Sequence, residues 1–301
     1  MTIVNAQKLF RIRGGVHPSE NKQATAGCSI VAAPIPKKLF IPLQQHIGAP
    51  AEPVVHRGQK VRKGELLANS QGVVSAPVHA PTSGTIRAIG KYPANHPSGL
   101  PVLTITLESD GKDAWMELPP ENTDPFSLEP DVIEDRVASA GIVGMGGATF
   151  PSAVKLNLGK RFELHTLVIN AAECEPYLTC DDQLMREQGD GIVEGIRLMM
   201  RALQVNRCIV AIEANKPEAS ASMAKAAAAF EEITVMTVPV RYPMGSEKHL
   251  VQTLTGKETP ARALTADIGI VVHNVATANA VRDAIRFGKP LISRVAVSYT
   301  H

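Results

Sequence analysis

Aromatic residues make up only 4% of the 301 residues, with a single tryptophan. The core therefore has to be assembled from Val, Ile, Leu and Ala, which suits sheets covered by alanine-rich helices. No apolar run approaches the roughly 20 residues of a membrane span. The start, Met1-Thr2-Ile3-Val4, lacks a signal peptide's long apolar stretch. A soluble, cytoplasmic chain is expected, reaching any membrane through a partner. Neither sign of charge dominates: 31 basic and 29 acidic residues leave a net charge of +2. The charges are interspersed, which excludes the basic footprint of a nucleic-acid binder. The four cysteines, Cys28, Cys174, Cys180 and Cys208, form no C-x-x-C pair. That excludes a zinc ribbon or a ferredoxin cluster run, and without an export signal disulfides are not expected. Cys28 and Cys208 read as ordinary free thiols.

The length suffices for two domains, each with its own core. Up to residue 110, with an N-terminal extension, short β-rich runs (38–42, 72–79, 85–89, 102–107) alternate with Gly and Pro punctuation, as in a small all-β unit. A proline-rich linker, 111–130, carries Pro119, Pro120, Pro125 and Pro130. From 131 to 290 strands alternate with helices. Helices are expected at 131–140, 181–204, 217–231, 246–255 and 276–287, and strands at 166–170, 208–213, 233–239 and 268–273. This pattern predicts an α/β fold, an open Rossmann-like sheet with flanking helices, preceded by the β unit. Residues 291–301 begin a further segment. Ligands of such sheets bind beyond the carboxyl ends of the strands, here Asn170, Glu213, Pro239 and His273.

The loops at those ends carry the chemistry. Gly141-Ile-Val-Gly144-Met-Gly146-Gly147-Ala148-Thr149-Phe150 strips side chains from the backbone, so that a flat ring or a phosphate can approach consecutive amides. Lys155 follows with a positive charge. Taken alone, the loop reads better as an ordinary tight turn: it follows a helix rather than a strand, and Thr149 stands at the third glycine of the dinucleotide fingerprint. Asn170-Ala-Ala-Glu173-Cys-Glu175-Pro-Tyr177 then sets two carboxylates just past a buried strand. They are either ordinary surface acids or acceptors for ribose hydroxyls and a nicotinamide amide. A third loop, Tyr242-Pro-Met-Gly245-Ser-Glu247-Lys248, and a fourth, His273-Asn274-Val-Ala-Thr277, add polar groups at the same rim. Four such loops at one rim are harder to dismiss than any one.

In the β unit, Gly58-Gln-Lys-Val-Arg-Lys-Gly64 followed by Ala76-Pro-Val-His-Ala-Pro81-Thr-Ser-Gly84 resembles the lipoyl/biotinyl type of barrel-sandwich. Carrier versions modify a lysine on the intervening hairpin. Here residues 68–74 contain none, which favours a docking or packing module over a swinging arm.

The chain as a whole resembles the RnfC (RsxC) family, a peripheral component of the Rnf ion-translocating electron transport complex, from Arg13-Gly-Gly-Val-His-Pro18 through Lys289-Pro290. Val78-His-Ala-Pro-Thr-Ser-Gly84, Asn170-Ala-Ala-Glu-Cys-Glu-Pro-Tyr177 and Glu213-Ala-Asn-Lys-Pro217 together make the specific signature of that likeness. The α/β half is also similar to the NADH- and FMN-binding subunit of respiratory complex I. The resemblance implies an NADH dehydrogenase module. Gly144, Gly146, Gly147 and Ala148 would line FMN, Lys155 would reach its phosphate, and Phe150 would stack on the adenine of NADH. Asn170 and Glu173 would hold the flavin's polar edge, and Glu175 would face the nicotinamide. Tyr242, Gly245 and Glu247 would close the pocket, and Asn274 and Thr277 would contact the phosphate end. Implied partners are membrane-embedded and peripheral Rnf subunits at the cytoplasmic face of the bacterial inner membrane. Thr149 and Ala153 replace glycines of the pattern, which would crowd the loop, and Ala172 replaces an acid of the complex I relatives. The family's 4Fe-4S clusters need C-x-x-C-x-x-C runs absent before Tyr299-Thr-His301, so a truncated chain is expected. The alternative is a non-catalytic binding or assembly module with an empty flavin site.

Overall fold

A computed structural model describes residues 9–298 except 12, 96 and 97. The β half contains β1 (Lys38–Pro42), β2 (Glu52–Pro53), β3 (Lys60–Val61), β4 (Leu66–Asn69), β5 (Val78–His79), β6 (Gly84–Pro93) and β7 (Pro101–Ser109). They form a four-stranded sheet, β1-β7-β6-β3, and a three-stranded sheet, β2-β4-β5. The two close over a small aliphatic core that includes Leu43, Leu67, Ile86, Ile105 and Leu107, all fully buried. This is the barrel-sandwich expected from the glycine-punctuated pattern.

The run 72–79 is strand only at its end. Val74 and Ala76 bond not to a neighbouring strand but to the loop before β2: Ala49 N donates to Val74 O (3.0 Å) and Ala76 N to His46 Nε2 (3.1 Å). Val73 is left 81% exposed. β-propensity without an available ladder partner yields a loop.

The proline-rich stretch is fastened at both ends. Asp113 pairs with Lys63 (2.6 Å) and Trp115 forms a bridge with the same lysine in the β half. Asn122 N donates to Arg286 O (2.8 Å) in the α/β half.

The α/β half comprises α1 (Pro130–Ser139), α2 (Ser152–Leu156), β8 (Thr166–Ala171), α3 (Cys180–Leu203), β9 (Cys208–Glu213), α4 (Pro217–Ala227), β10 (Ile233–Val238), α5 (Glu247–Thr255), β11 (Ile270–Asn274) and α6 (Val275–Phe287). The sheet is wholly parallel, in the order β10-β9-β8-β11. The chain starts at β8, steps outward through β9 and β10, then returns to add β11 on the far side of β8. Strand order therefore reverses between β8 and β11, which is where an open α/β sheet leaves its binding crevice. Helices α3, α4 and α6 pack on one face through Ile192, Ile196, Met199, Met223 and Val281, and α1 and α2 join the same core through Ile133, Val137 and Leu156. Helix α5 covers the other through Leu250, Val251 and Leu254. Strands buried on both faces read as near-continuous apolar runs, as Cys208–Glu213 does with all six residues buried.

Candidate functional site

At the reversal, the glycine loop lies against the end of β11. Gly144 N donates to Phe150 O (2.8 Å), and a bridge between Val143 and Pro151 closes the loop. A Cβ on Gly146 would stand 2.9 Å from Asn274 Cβ, so only glycine admits this approach. Gly147, at φ +148°, faces open space. Met145 N donates to the hydroxyl of the fully buried Thr277 (3.0 Å), tying the loop to the first turn of α6. Thr149 is half-buried in this loop. It adopts the left-handed conformation a glycine would take (φ +49°), turns its hydroxyl back onto Ala148 O (2.8 Å), and its carbonyl accepts from Ile47 N of the β half. Left-handed backbone is unfavourable for a β-branched residue, so the surrounding structure imposes this shape. Ala148 is exposed, and Phe150 and Ala153 are half-buried.

Asn274 is the hub. Its Oδ1 caps α6 by accepting from Ala276 N (2.8 Å), and its Nδ2 donates to Asp181 Oδ2 (2.6 Å) and Asn170 O (3.5 Å). Asn170 extends the chain of contacts by donating to Gly245 O (2.8 Å), and Gly245 N meets Cys174 Sγ at 3.3 Å. The three strand-end loops thus touch through one set of polar contacts, and the glycine loop joins them by packing on Asn274 and by its bond to Thr277.

The two glutamates of the β8 exit loop are placed differently. Glu173 is buried, and both carboxylate oxygens accept amides in the first turn of α3, from Asp181 N (2.7 Å) and Asp182 N (3.3 Å). Burial raises its pKa, against the pull of those amides and of Lys22 and Lys216. Glu175 is exposed at the loop tip. Asp181, beside both Glu173 and Asn274, is pushed up to about 7 by loss of hydration and then by the charge of Glu173. In the sequence it passes for an ordinary acid of a helix start; only the fold brings it against Asn274.

A second knot joins α2, β11 and α5. Lys155 Nζ donates to Val272 O (3.0 Å) and to Glu247 Oε2 (3.1 Å), while Thr265 donates to the other oxygen of Glu247 (2.6 Å). His273, buried beside Lys155, has an Nε2 with no hydrogen-bond partner. Burial, with the Lys155 charge adding, lowers its pKa to about 3, so the imidazole is neutral. Tyr242 is exposed and pairs through its backbone with Val16. Glu213-x-x-Lys216 is almost fully buried at the end of β9; its sequence likeness was visible, but its placement under the β8 exit loop was not.

Residues 137–283 match the family described as "Nuo51 FMN-binding domain", and residues 10–112 match "RnfC Barrel sandwich hybrid domain". The RnfC protein of the ion-translocating oxidoreductase complex of Rhodobacter capsulatus is 54% identical across all of this chain and 58% of its own length. The chain belongs to the RnfC family. Other RnfC relatives agree. The corresponding protein of the proton-translocating ferredoxin:NAD(+) oxidoreductase complex of Clostridium ljungdahlii is 47% identical over 95% of the chain and 62% of that protein. The one from the ion-translocating oxidoreductase complex of Pseudomonas aeruginosa is 46% identical over 95% of the chain and 37% of that protein. The chain thus spans less than two thirds of the length of these RnfC relatives. Among the described residues no helix is long and apolar enough to cross a membrane, and no group of three His, Cys, Asp or Glu could hold a metal ion.

Proposed function

We propose that this chain is the electron-entry module of an ion-translocating electron transport complex, binding FMN and oxidising NADH. The observation that carries this reading is the convergence of glycine-exposed amides, Asn170, Asn274 and the N-terminus of α6 at the one strand-order reversal of the sheet. The residues present fit the group. Gly147 leaves room over the loop, and the neutral His273 offers an unused ring nitrogen beside the Lys155 ammonium. The N-terminus of α6 adds the partial positive charge that favours a phosphate.

Lys155 would hold the FMN phosphate, sharing its charge with Glu247. Gly144, Gly146, Gly147 and Ala148 would line the flavin, and Asn170 its polar edge. Glu173, with both oxygens on α3 amides, acts by fixing the loop around that edge. Glu175 would meet the incoming nicotinamide nucleotide, Phe150 its adenine, and Tyr242 with Gly245 would close the opening. FMN, when bound, supplies the hydride-accepting ring. The protein supplies orientation, exclusion of water and a fixed field. Electrons would leave toward 4Fe-4S clusters of the same complex, and the partners would be its membrane-embedded and peripheral subunits at the cytoplasmic face of the inner membrane. The Clostridium relative's name sets NAD(+) against ferredoxin; a site that orients the two rings serves hydride transfer in either direction.

A second reading, an assembly module without flavin, is favoured by the Lys155–Glu247 ion pair, which occupies the phosphate-binding ammonium. Titration of FMN fluorescence separates the two. Saturable one-to-one quenching is expected, and unquenched FMN would sink the redox reading.

A further inference from the structure

The family likeness to the barrel-sandwich domain begins at residue 10, yet residues 15–30 do not lie in the barrel. They form a strap along the carboxyl rim of the α/β sheet. Val16 pairs with Tyr242 by two backbone bonds (2.8 and 2.9 Å), and Tyr177 N donates to Glu20 O (2.8 Å). Asn215 Nδ2 donates to Glu20 Oε2 (2.9 Å), and Thr25 shares a hydroxyl contact with Thr179 (2.8 Å). The strap therefore touches the exits of β8, β9 and β10 in turn. Beside it lies a cavity of about 190 Å³, walled by strap residues on one side and by Cys174, Pro176 and Tyr242 on the other. Glu175 lies between two of those wall residues in the sequence and is not itself part of the wall.

One strap side chain enters the protein. Lys22 is 8% exposed, and its ammonium donates to Glu173 O (2.7 Å) and Leu178 O (2.5 Å), the two ends of the segment that carries Glu175. From beneath, Lys216 donates to Ala172 O (2.7 Å). Between these clamps the loop holds two non-glycine residues in left-handed backbone, Glu173 at φ +50° and Tyr177 at φ +68°. Such backbone is unfavourable for a residue with a side chain and persists only where the surroundings impose it. Burying ammonium groups is itself unfavourable, and an apolar side chain of the same length is often no worse for stability. Lys216 also pairs with Glu213 (3.4 Å) and donates to Asn215 Oδ1 (2.9 Å), but the Lys22 ammonium is spent on the two loop carbonyls, which is better explained by the loop shape it enforces than by the stability it adds.

We propose that Lys22 is a positioning residue of the nucleotide site, and that the strap 15–30 works as part of that site by holding the β8 exit loop in the form that presents Glu175. This rests on the NADH reading given above. Lys22 touches no reacting atom; it acts through the carbonyls of Glu173 and Leu178.

The test combines hydrogen exchange with equilibrium titration on the whole chain, comparing wild type with Lys22→Met, which keeps length and apolar stem but loses the ammonium. Amides in 172–179 should exchange about tenfold faster, reporting local opening, with β9 and β11 unchanged. NADH affinity should fall by a similar factor, while FMN affinity changes less than about threefold, since Lys22 contacts none of the proposed flavin ligands' side chains. Lys22→Arg, which keeps the charge, should recover part of both effects and serves alone if the methionine variant does not fold. Unaltered loop exchange overturns the proposal. So does a loosened loop with unaltered NADH affinity, or faster exchange spread evenly over every strand, which would mark a role in stability only. Wild-type protein that binds no NADH overturns the function reading and this role together. Wild type that binds NADH, with a variant indistinguishable from it, overturns this inference alone.

Discussion

Glu173 and Glu175 stand two residues apart, and the fold places them oppositely. The buried one caps α3 with both oxygens; the exposed one stands at the loop tip. The sequence showed two acids past a strand but not which would be spent on backbone, because the helix start that claims Glu173 lies eight residues on. Glu175→Gln is accordingly expected to slow NADH oxidation by roughly tenfold or more, about 1.4 kcal/mol, with FMN retention nearly unchanged. Lys155→Ala should do the reverse, weakening FMN binding first. FMN titration and steady-state kinetics on both variants check the contrast, and equal losses in either variant would refute it. Asp181 provides a pH signature. Its pKa is raised in the fold to about 7 from 3.8, so between those values the unfolded chain has released a proton that the folded one keeps. Stability contributed by this group is therefore full below about pH 4 and is lost as pH rises toward 7. Asp181→Asn, which still accepts from Asn274, should raise Tm at pH 8 and leave it nearly unchanged at pH 4. A rise of equal size at both values would mean the carboxylate is not strained by its burial.

Among elements, α3 and α6 fix the β11–α6 junction, where Asn274 caps α6 and Thr277 of its first turn holds the glycine loop. Their contact is close: a Cβ on Gly195 of α3 would stand 1.8 Å from Ala278 O of α6. In an exposed helix Gly→Ala stabilises by up to about 1 kcal/mol. Here the sign should reverse, with Gly195→Ala costing about 1–3 kcal/mol through overpacking, or roughly 2–4 °C of Tm for each kcal/mol. FMN affinity should fall with it as the start of α6 shifts; thermal unfolding and titration measure both, and an unchanged Tm would contradict the packing described. Most elements were legible beforehand. Cys208–Glu213 and Lys38–Pro42 fall where the apolar runs predicted, since strands buried on both faces or alternating against a core leave strong patterns. The run 72–79 misled because propensity is local and ladder partners are not. The glycine loop was legible as a loop, but its contact with Asn274, 128 positions after Gly146, is a product of the strand reversal alone.

At the scale of the whole molecule, two domains with separate cores are joined by more than a tether. The strap before the barrel and the proline-rich stretch after it both bind the α/β half, through Tyr242 and Glu173 in one case and Arg286 in the other. The sequence set the division at the prolines as a change of grammar and gave the β unit an N-terminal extension, without showing that this extension binds the α/β half. Residues 15–30 carry no strong periodicity, and their partners lie more than 140 positions away at Glu173 and farther at Tyr242. Long-range pairing of that kind leaves no trace in local pattern. What unifies the molecule is a rim at which barrel, strap and sheet all contribute contacts around the β8/β11 reversal. Anaerobic addition of NADH to the FMN-loaded chain, followed through the flavin's visible absorption, tests that claim most directly. Stoichiometric bleaching by one NADH per flavin is predicted; a bound flavin that NADH leaves oxidised, or no bound flavin at all, would contradict it.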